Sequence, residues 1–122
     1  YDLKKKKGMR PIDSGVLEVL RMAPQRRAEA REIQDRVSLM MINEALLCLQ
    51  EGIIASPRDG DTGAILGLGF PPFRGGPFRH IDAEGAGAVL RRMDELAEAH
   101  GGRFRAADIL RDTASSKRKF YP

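Results

Sequence analysis

Residues 28 to 52 carry two apolar stripes at helical spacing. Ile33, Val37, Met40, Met41, Ala45 and Cys48 form one, and Leu39, Ile42, Leu46 and Leu49 form the other. Recurrence at three and four residues predicts one long helix. A helix that is apolar on two sides is expected to lie sandwiched at the centre of a fold. Gly52 is its expected stop. Further on, Ala86, Val89, Leu90, Met93, Leu96 and Ala97 mark an amphipathic helix, with Arg91, Arg92, Asp94, Glu95 and Glu98 on its outer face and Gly101-Gly102 at its end.

Shorter helices fill the intervals. Asp13 can cap a helix over 14 to 21, interrupted by Pro24. "SPRD" places Ser56 at an N-cap, Pro57 at the first helical position and Asp59 at the third, and so starts a helix that runs to Leu66. Short helices are expected over 76 to 84 and 106 to 113. No stretch shows the two-residue alternation of a half-buried strand, so the predicted class is all-α, with one long central helix. Residues 1 to 25 read as a linker with a short helix, and 26 to 122 as the helical domain.

Composition narrows the function classes. The chain has 122 residues, 42% apolar and 31% charged, enough for one small domain with a core. There is neither an apolar run of transmembrane length nor an apolar segment behind the basic N-terminus that would make a secretory signal. A single cysteine, Cys48, excludes an internal disulfide and fits a reducing compartment, so a cytoplasmic location is expected. The net charge of +4 collects at the ends, in Lys4 to Lys7 and Lys117 to Lys119, which read as solvated tails. No basic face with base-reading polar residues is visible, so nucleic acid is not an expected partner. The chain opens on Tyr1 rather than Met and reads as a piece of something longer.

The densest feature is "LGLGFPPFRGGPFRHID", residues 66 to 82. A phosphate-cradling reading requires backbone N–H groups, and a G-x-G-x-x-G run from Gly67 and Gly69 fails at Pro72. Pro71 and Pro72 have no N–H to offer. A rigid corner between helices accounts for the residues better. Gly67 and Gly69 can end a helix with positive φ, and Pro71 and Pro72 hold the chain extended. Phe70, Phe73 and Phe78 can anchor the turn in the core. Gly75 and Gly76 allow close backbone approach, and Pro77 suits a first helical position.

Other hints lead to packing rather than chemistry. "DGDTG" at 59 to 63 suggests a calcium loop, but its twelfth position is Phe70 where a bidentate glutamate is needed. No metal site is expected. His80 and His100 have no ligand partners nearby in sequence and read as solvated or locally bonded. Cys48 lies on an apolar stripe and reads as core. Asn43-Glu44 interrupts the long helix with polar groups that, if buried, must find partners. No G-x-S-x-G or H-E-x-x-H motif occurs, so no catalytic residue is assigned.

"EIQDRVSLMMINEALLCLQEGIIASPRDGDTGAILGLGFPPFRGGPFRHID" closely resembles the C-terminal helical domain of 3-hydroxyacyl-CoA dehydrogenases. It is most similar to the second such domain in the multifunctional α-subunits of bacterial fatty-acid oxidation complexes. The resemblance runs from Glu32 to the end, and "GFPPFRGGPFR" after a helix ending "CLQEGI" is its most specific part. "YDLKKKKGMRPID" resembles the link between the two helical repeats, and "KRKFYP" a natural C-terminus.

The resemblance implies a parent enzyme that hydrates enoyl-CoA and then oxidises L-3-hydroxyacyl-CoA, with NAD in a Rossmann domain outside this chain. It implies no cofactor within the chain itself. Expected partners are the preceding helical repeat, that Rossmann domain, acyl-CoA and a thiolase subunit, with self-association of the fragment. Two departures set this repeat apart. Asp35-Arg36 stands where the first repeat has an Asn-Arg pair with a substrate-contacting Asn. Leu66 stands where some relatives have a substrate-contacting Tyr; it can line an acyl channel but cannot hydrogen-bond. The expected role is therefore a scaffold repeat that packs like a dimer partner. The alternative is a free-standing helical interaction or CoA-binding module.

Overall fold

The computed structural model describes residues 15–21 and 28–122. Its helices are α1 (Gly15–Val19), α2 (Ala30–Gln50), α3 (Pro57–Leu68), α4 (Pro77–Glu84), α5 (Ala86–His100) and α6 (Asp108–Ser116). Single 3₁₀ turns, Pro72–Arg74 and Gly102–Phe104, join α3 to α4 and α5 to α6. The described residues contain no strand, so the class is all-α. The Asp13 cap and Pro24 lie outside the described residues.

Local chemistry fixes the helix ends. At the end of α2 the Gly52 N–H donates to the Leu49 carbonyl (3.2 Å) and the Ile53 N–H to that of Cys48 (2.9 Å). These two bonds close a Schellman motif, which Gly52 permits by taking φ 73°. Ser56 caps α3 by accepting the Asp59 N–H, and its hydroxyl donates back to the Asp59 carboxylate at 2.7 Å. α3 continues two residues past Leu66, because Gly67 is helical and Gly69 alone takes the left-handed conformation. α6 starts at Asp108 rather than at residue 106. Ala106 and Ala107 are instead buried in the core, and the Gln50 side chain accepts the Ile109 N–H that the new helix leaves free.

α2 crosses the middle of the domain and packs on α3, α4, α5 and α6. Leu39, Ile42 and Leu46 are fully buried against Phe78 and Ile81 of α4, Val89 and Met93 of α5, and Leu110 of α6. Asn43, buried beside them, is satisfied on both sides of its amide. It donates to the Arg105 carbonyl (3.0 Å) and accepts from the Ala107 N–H (2.9 Å), pinning the segment before α6 to the central helix.

The other stripe of α2 departs from the sandwiched expectation. Met41, Ala45 and Cys48 are half-buried, but Ile33, Val37 and Met40 remain exposed at 51%, 59% and 37%. Among the described residues, Arg103 and Phe104 border this side of α2 but leave its ridge open. α5 departs at one position. Arg92, expected on the outer face, is half-buried and reaches carboxylates on two other helices.

Candidate functional site

The bare side of α2 forms one wall of a cleft of about 560 Å³. Ile33, Val37 and Met41 face Phe70, Pro71 and Phe73 of the α3–α4 corner across it. Its floor is polar, built from Asp35, Arg74, His80, Glu84 and Arg92.

The charges of the floor are paired with one another. His80 is 6% exposed and sits between two charged partners. Its Nδ1 lies 3.3 Å from Arg74 Nη1 and its Nε2 lies 3.3 Å from Glu84 Oε1. A guanidinium can only donate, so Nδ1 is the acceptor, and Nε2 carries the proton and donates to Glu84. Burial lowers the His80 pKa below its ordinary 6.5. The nearby Glu84 charge opposes that shift, and the Arg74 and Arg92 charges reinforce it. Arg92 then ties Glu84, at 2.5 Å, to Asp35 on α2. Its Nε is buried without a hydrogen-bond partner among the described residues. Two cations meet two anions, so the floor has no net charge to attract a phosphate.

The corner itself is held from behind. Gly76, the residue before α4, offers no side chain to cap that helix. Asp61 of α3 does so instead, accepting the Phe78 N–H at 2.7 Å and the Arg79 N–H at 3.3 Å. The carboxylate lies so close to Gly76 that a Cβ there would collide with it, and Gly76 is also at φ 104°. Phe70 and Phe78 are buried at 2% and 0%. Phe73, expected as a third core anchor, is 86% exposed. The 3₁₀ turn begun by Pro72 carries it outward onto the lip of the cleft, and Arg74 stacks beside it at 5.7 Å. That turn also replaces the extended chain expected after Pro72.

The remaining candidates scatter. Leu66 is 81% exposed on α3 and does not line the cleft. Asp59 is engaged with Ser56 and Asp61 with α4, so the two acidic residues of "DGDTG" serve separate helix starts. His100 pairs with Glu32 at 3.4 Å. Gly67 is helical, and the prolines at 71 and 72 have no N–H. Among the described residues, the corner from Gly67 to Pro72 therefore lacks the unbroken run of backbone donors that a pyrophosphate cradle uses. No helix among the described residues is long and apolar enough to cross a membrane.

Sequence reasoning missed three features: the Asp61 cap, the buried His80 network and the return of Phe120 and Tyr121 onto α4. Only the first had a local signal. A Gly-Gly-Pro entry to a helix leaves first-turn N–H groups with no local acceptor, so one must arrive from elsewhere in the chain.

An all-helical domain built around one long helix and a glycine-proline corner matches a known family. The 3-hydroxyacyl-CoA dehydrogenase C-terminal domain profile covers residues 33–120, and the chain belongs to that family. Among full-length relatives it is similar to fatty acid oxidation complex subunit alpha of Shewanella amazonensis, with 46% identity over 99% of this chain and 17% of that protein. The subunit of the same name from Vibrio vulnificus is 45% identical over the same shares. That from Vibrio cholerae is 47% identical over 91% of this chain and 16% of its own length. The chain thus spans about a sixth of these relatives.

Proposed function

We propose that this chain is a helical scaffold repeat of a multifunctional β-oxidation enzyme, and that its exposed apolar face packs on the preceding helical repeat. The parent hydrates enoyl-CoA and oxidises L-3-hydroxyacyl-CoA with NAD held in a Rossmann domain, in the cytoplasm and in company with a thiolase subunit. Residues 26–122 are the packing unit, and 1–25 link it to what precedes. NAD would supply the hydride acceptor in the parent, and no residue of this chain is assigned to hold it. The corner from Gly67 to Gly76 is structural. Leu66, on the outer face of α3, is a substrate contact only if another domain brings the acyl chain to it.

The observation that carries this reading is the exposed stripe Ile33–Val37–Met40, of which Ile33 and Val37 share with Phe73 a cleft whose polar floor has its charges already paired. Burying an aliphatic or aromatic side chain of this size stabilises by about 1.5–3 kcal/mol. Four such residues on one face favour association.

The test is sedimentation of the purified chain with and without the preceding repeat of the parent. Association with that repeat, or with a second copy when the repeat is absent, is expected. Ile33→Asp combined with Val37→Asp should abolish association and leave the melting temperature within a few degrees, because both side chains are already exposed. A strict monomer at high concentration with no affinity for the repeat would overturn the proposal.

A further inference from the structure

After α6 the chain turns back. Lys117 takes the left-handed conformation at φ 53°, Lys117 to Lys119 are exposed, and the next two residues return to α4. A single carboxylate, Asp82, receives both of their backbone N–H groups. Phe120 donates to Oδ1 and Tyr121 to Oδ2, each at 2.9 Å. The Phe120 ring packs edge-to-face on Phe78, with centroids 5.0 Å apart. The Tyr121 hydroxyl donates to Asp61 Oδ2 at 2.6 Å, and the Arg79 guanidinium lies over its ring at 3.6 Å.

These contacts read a sequence rather than merely cover a surface. Two N–H groups on one carboxylate exclude proline at both positions. The Phe78 face calls for an aromatic ring at the first position. At the second, Asp61 calls for a hydroxyl at tyrosine length, and Arg79 for a π-face beneath it. The bonds to Asp61 and Asp82 are charge-assisted, which makes each stronger than a neutral hydrogen bond. Asp61 is also the cap of α4, so the tyrosine completes the shell of the group that holds the corner.

We propose that Asp61, Phe78, Arg79 and Asp82 form a recognition site for an aromatic–tyrosine segment. Residues 120–121 of the chain fill it as a strap over the α3–α4 junction. The contacts are noncovalent and the stretch leading to them is exposed. The site therefore accepts the same segment supplied in trans once its own is removed. The site is distinct from the cleft and does not depend on docking of the preceding repeat.

The experiment uses the 122-residue chain carrying Phe120→Ala and Tyr121→Ala together. Its probe is a fluorescein-labelled peptide with the sequence of residues 116–122, followed by anisotropy. Saturable binding is expected. It should weaken at least tenfold when the peptide tyrosine is replaced by phenylalanine, which keeps the peptide charge constant. Adding Asp82→Asn to the protein should weaken it by a similar factor. The unsubstituted chain should bind at least tenfold more weakly than the double variant, because its own strap competes. Equal binding of the phenylalanine peptide, or equal binding by the unsubstituted chain, would overturn the proposal. Should the double variant not fold, hydrogen exchange on the unsubstituted chain decides. The Phe120 and Tyr121 amides should exchange at least tenfold more slowly than that of Lys119, and exchange at the Lys119 rate would overturn the strap.

Discussion

Two phenylalanines three residues apart in "FPPF" should respond in opposite ways to the same substitution. Phe70 is 2% exposed, packed in the core beneath the corner and edge-on to His80 at 6.4 Å. Phe73 is 86% exposed on the lip of the cleft. Phe70→Ala removes a buried ring from a core that cannot fully collapse, at a cost of about 3–5 kcal/mol. With unfolding entropy scaling with chain length, a domain of this size loses roughly 4 °C per kcal/mol, so the melting temperature should fall by about 12–20 °C. Phe73→Ala removes a ring that water already reaches and should cost less than about 0.5 kcal/mol. The assay is thermal unfolding by circular dichroism, with Phe70→Leu as a control that keeps most of the volume. The second readout is association with the preceding repeat, which Phe73→Ala should weaken and which is measured well below the melting temperature of every variant. Equal loss of stability from both alanine variants would refute the assignment of Phe73 to the surface. Loss of stability from neither would refute the packed corner.

Other outcomes follow from the same geometry. Asp61→Ala leaves the first turn of α4 and the Tyr121 hydroxyl without their acceptor and should cost about 2–3 kcal/mol by chemical denaturation; Asp61→Asn should cost less, since one acceptor oxygen remains. Burial holds the folded-state His80 pKa below 6.5, so the unfolded chain binds more protons as pH falls through that value. Stability attributable to His80 should thus be fully present above pH 6.5 and lost progressively below it, and in urea titrations at pH 7.5 and 5.5 His80→Gln should flatten that slope. An unaltered slope in the variant would count against a buried neutral imidazole. The chain on its own should not turn over acetoacetyl-CoA with NADH, because Pro71 and Pro72 break the run of backbone N–H groups that a phosphate cradle at its corner would need; turnover comparable to a complete enzyme would refute this.

The helices were legible because their signals are local. Ser56-Pro57 fixes the start of α3, Gly52 the end of α2 and Gly101 the end of α5, and each works through atoms within a few residues. The core stripe Leu39–Ile42–Leu46 was legible for the same reason. The other stripe of α2 has the same periodicity, and nothing in periodicity says whether a neighbour covers it. Phe73 was misplaced because a proline pair fixes the chain's direction only up to Pro72, where a 3₁₀ turn reverses which ring faces inward. Arg92 was misplaced because helical spacing cannot reveal that Asp35, 57 residues away, and Glu84 converge on it. Lys117 to Lys119 are exposed, as a solvated tail should be, but no local signal marks the next two residues, because their partners Asp82, Phe78 and Asp61 lie 38 to 60 residues away.

The polar floor bears on what the cleft can take. A ligand site usually presents a few donors or acceptors that are unsatisfied until the ligand arrives. Here Arg92 Nε is the one buried side-chain donor left without a partner among the described residues, while His80 uses both ring nitrogens and Glu84 accepts from His80 and from Arg92. Asp35 is held by Arg92 in turn. A charged headgroup entering the cleft would have to break pairs that already exist and would find no net charge in return. An apolar surface needs no such exchange. It can lie against Ile33, Val37, Met41 and Phe73 while the network beneath stays intact and keeps α2, α4 and α5 in register. The same pairs that make the floor a poor receptor for phosphate make it a rigid base for packing. That rigidity favours a neighbouring helical domain, rather than a small molecule, as the occupant of this face.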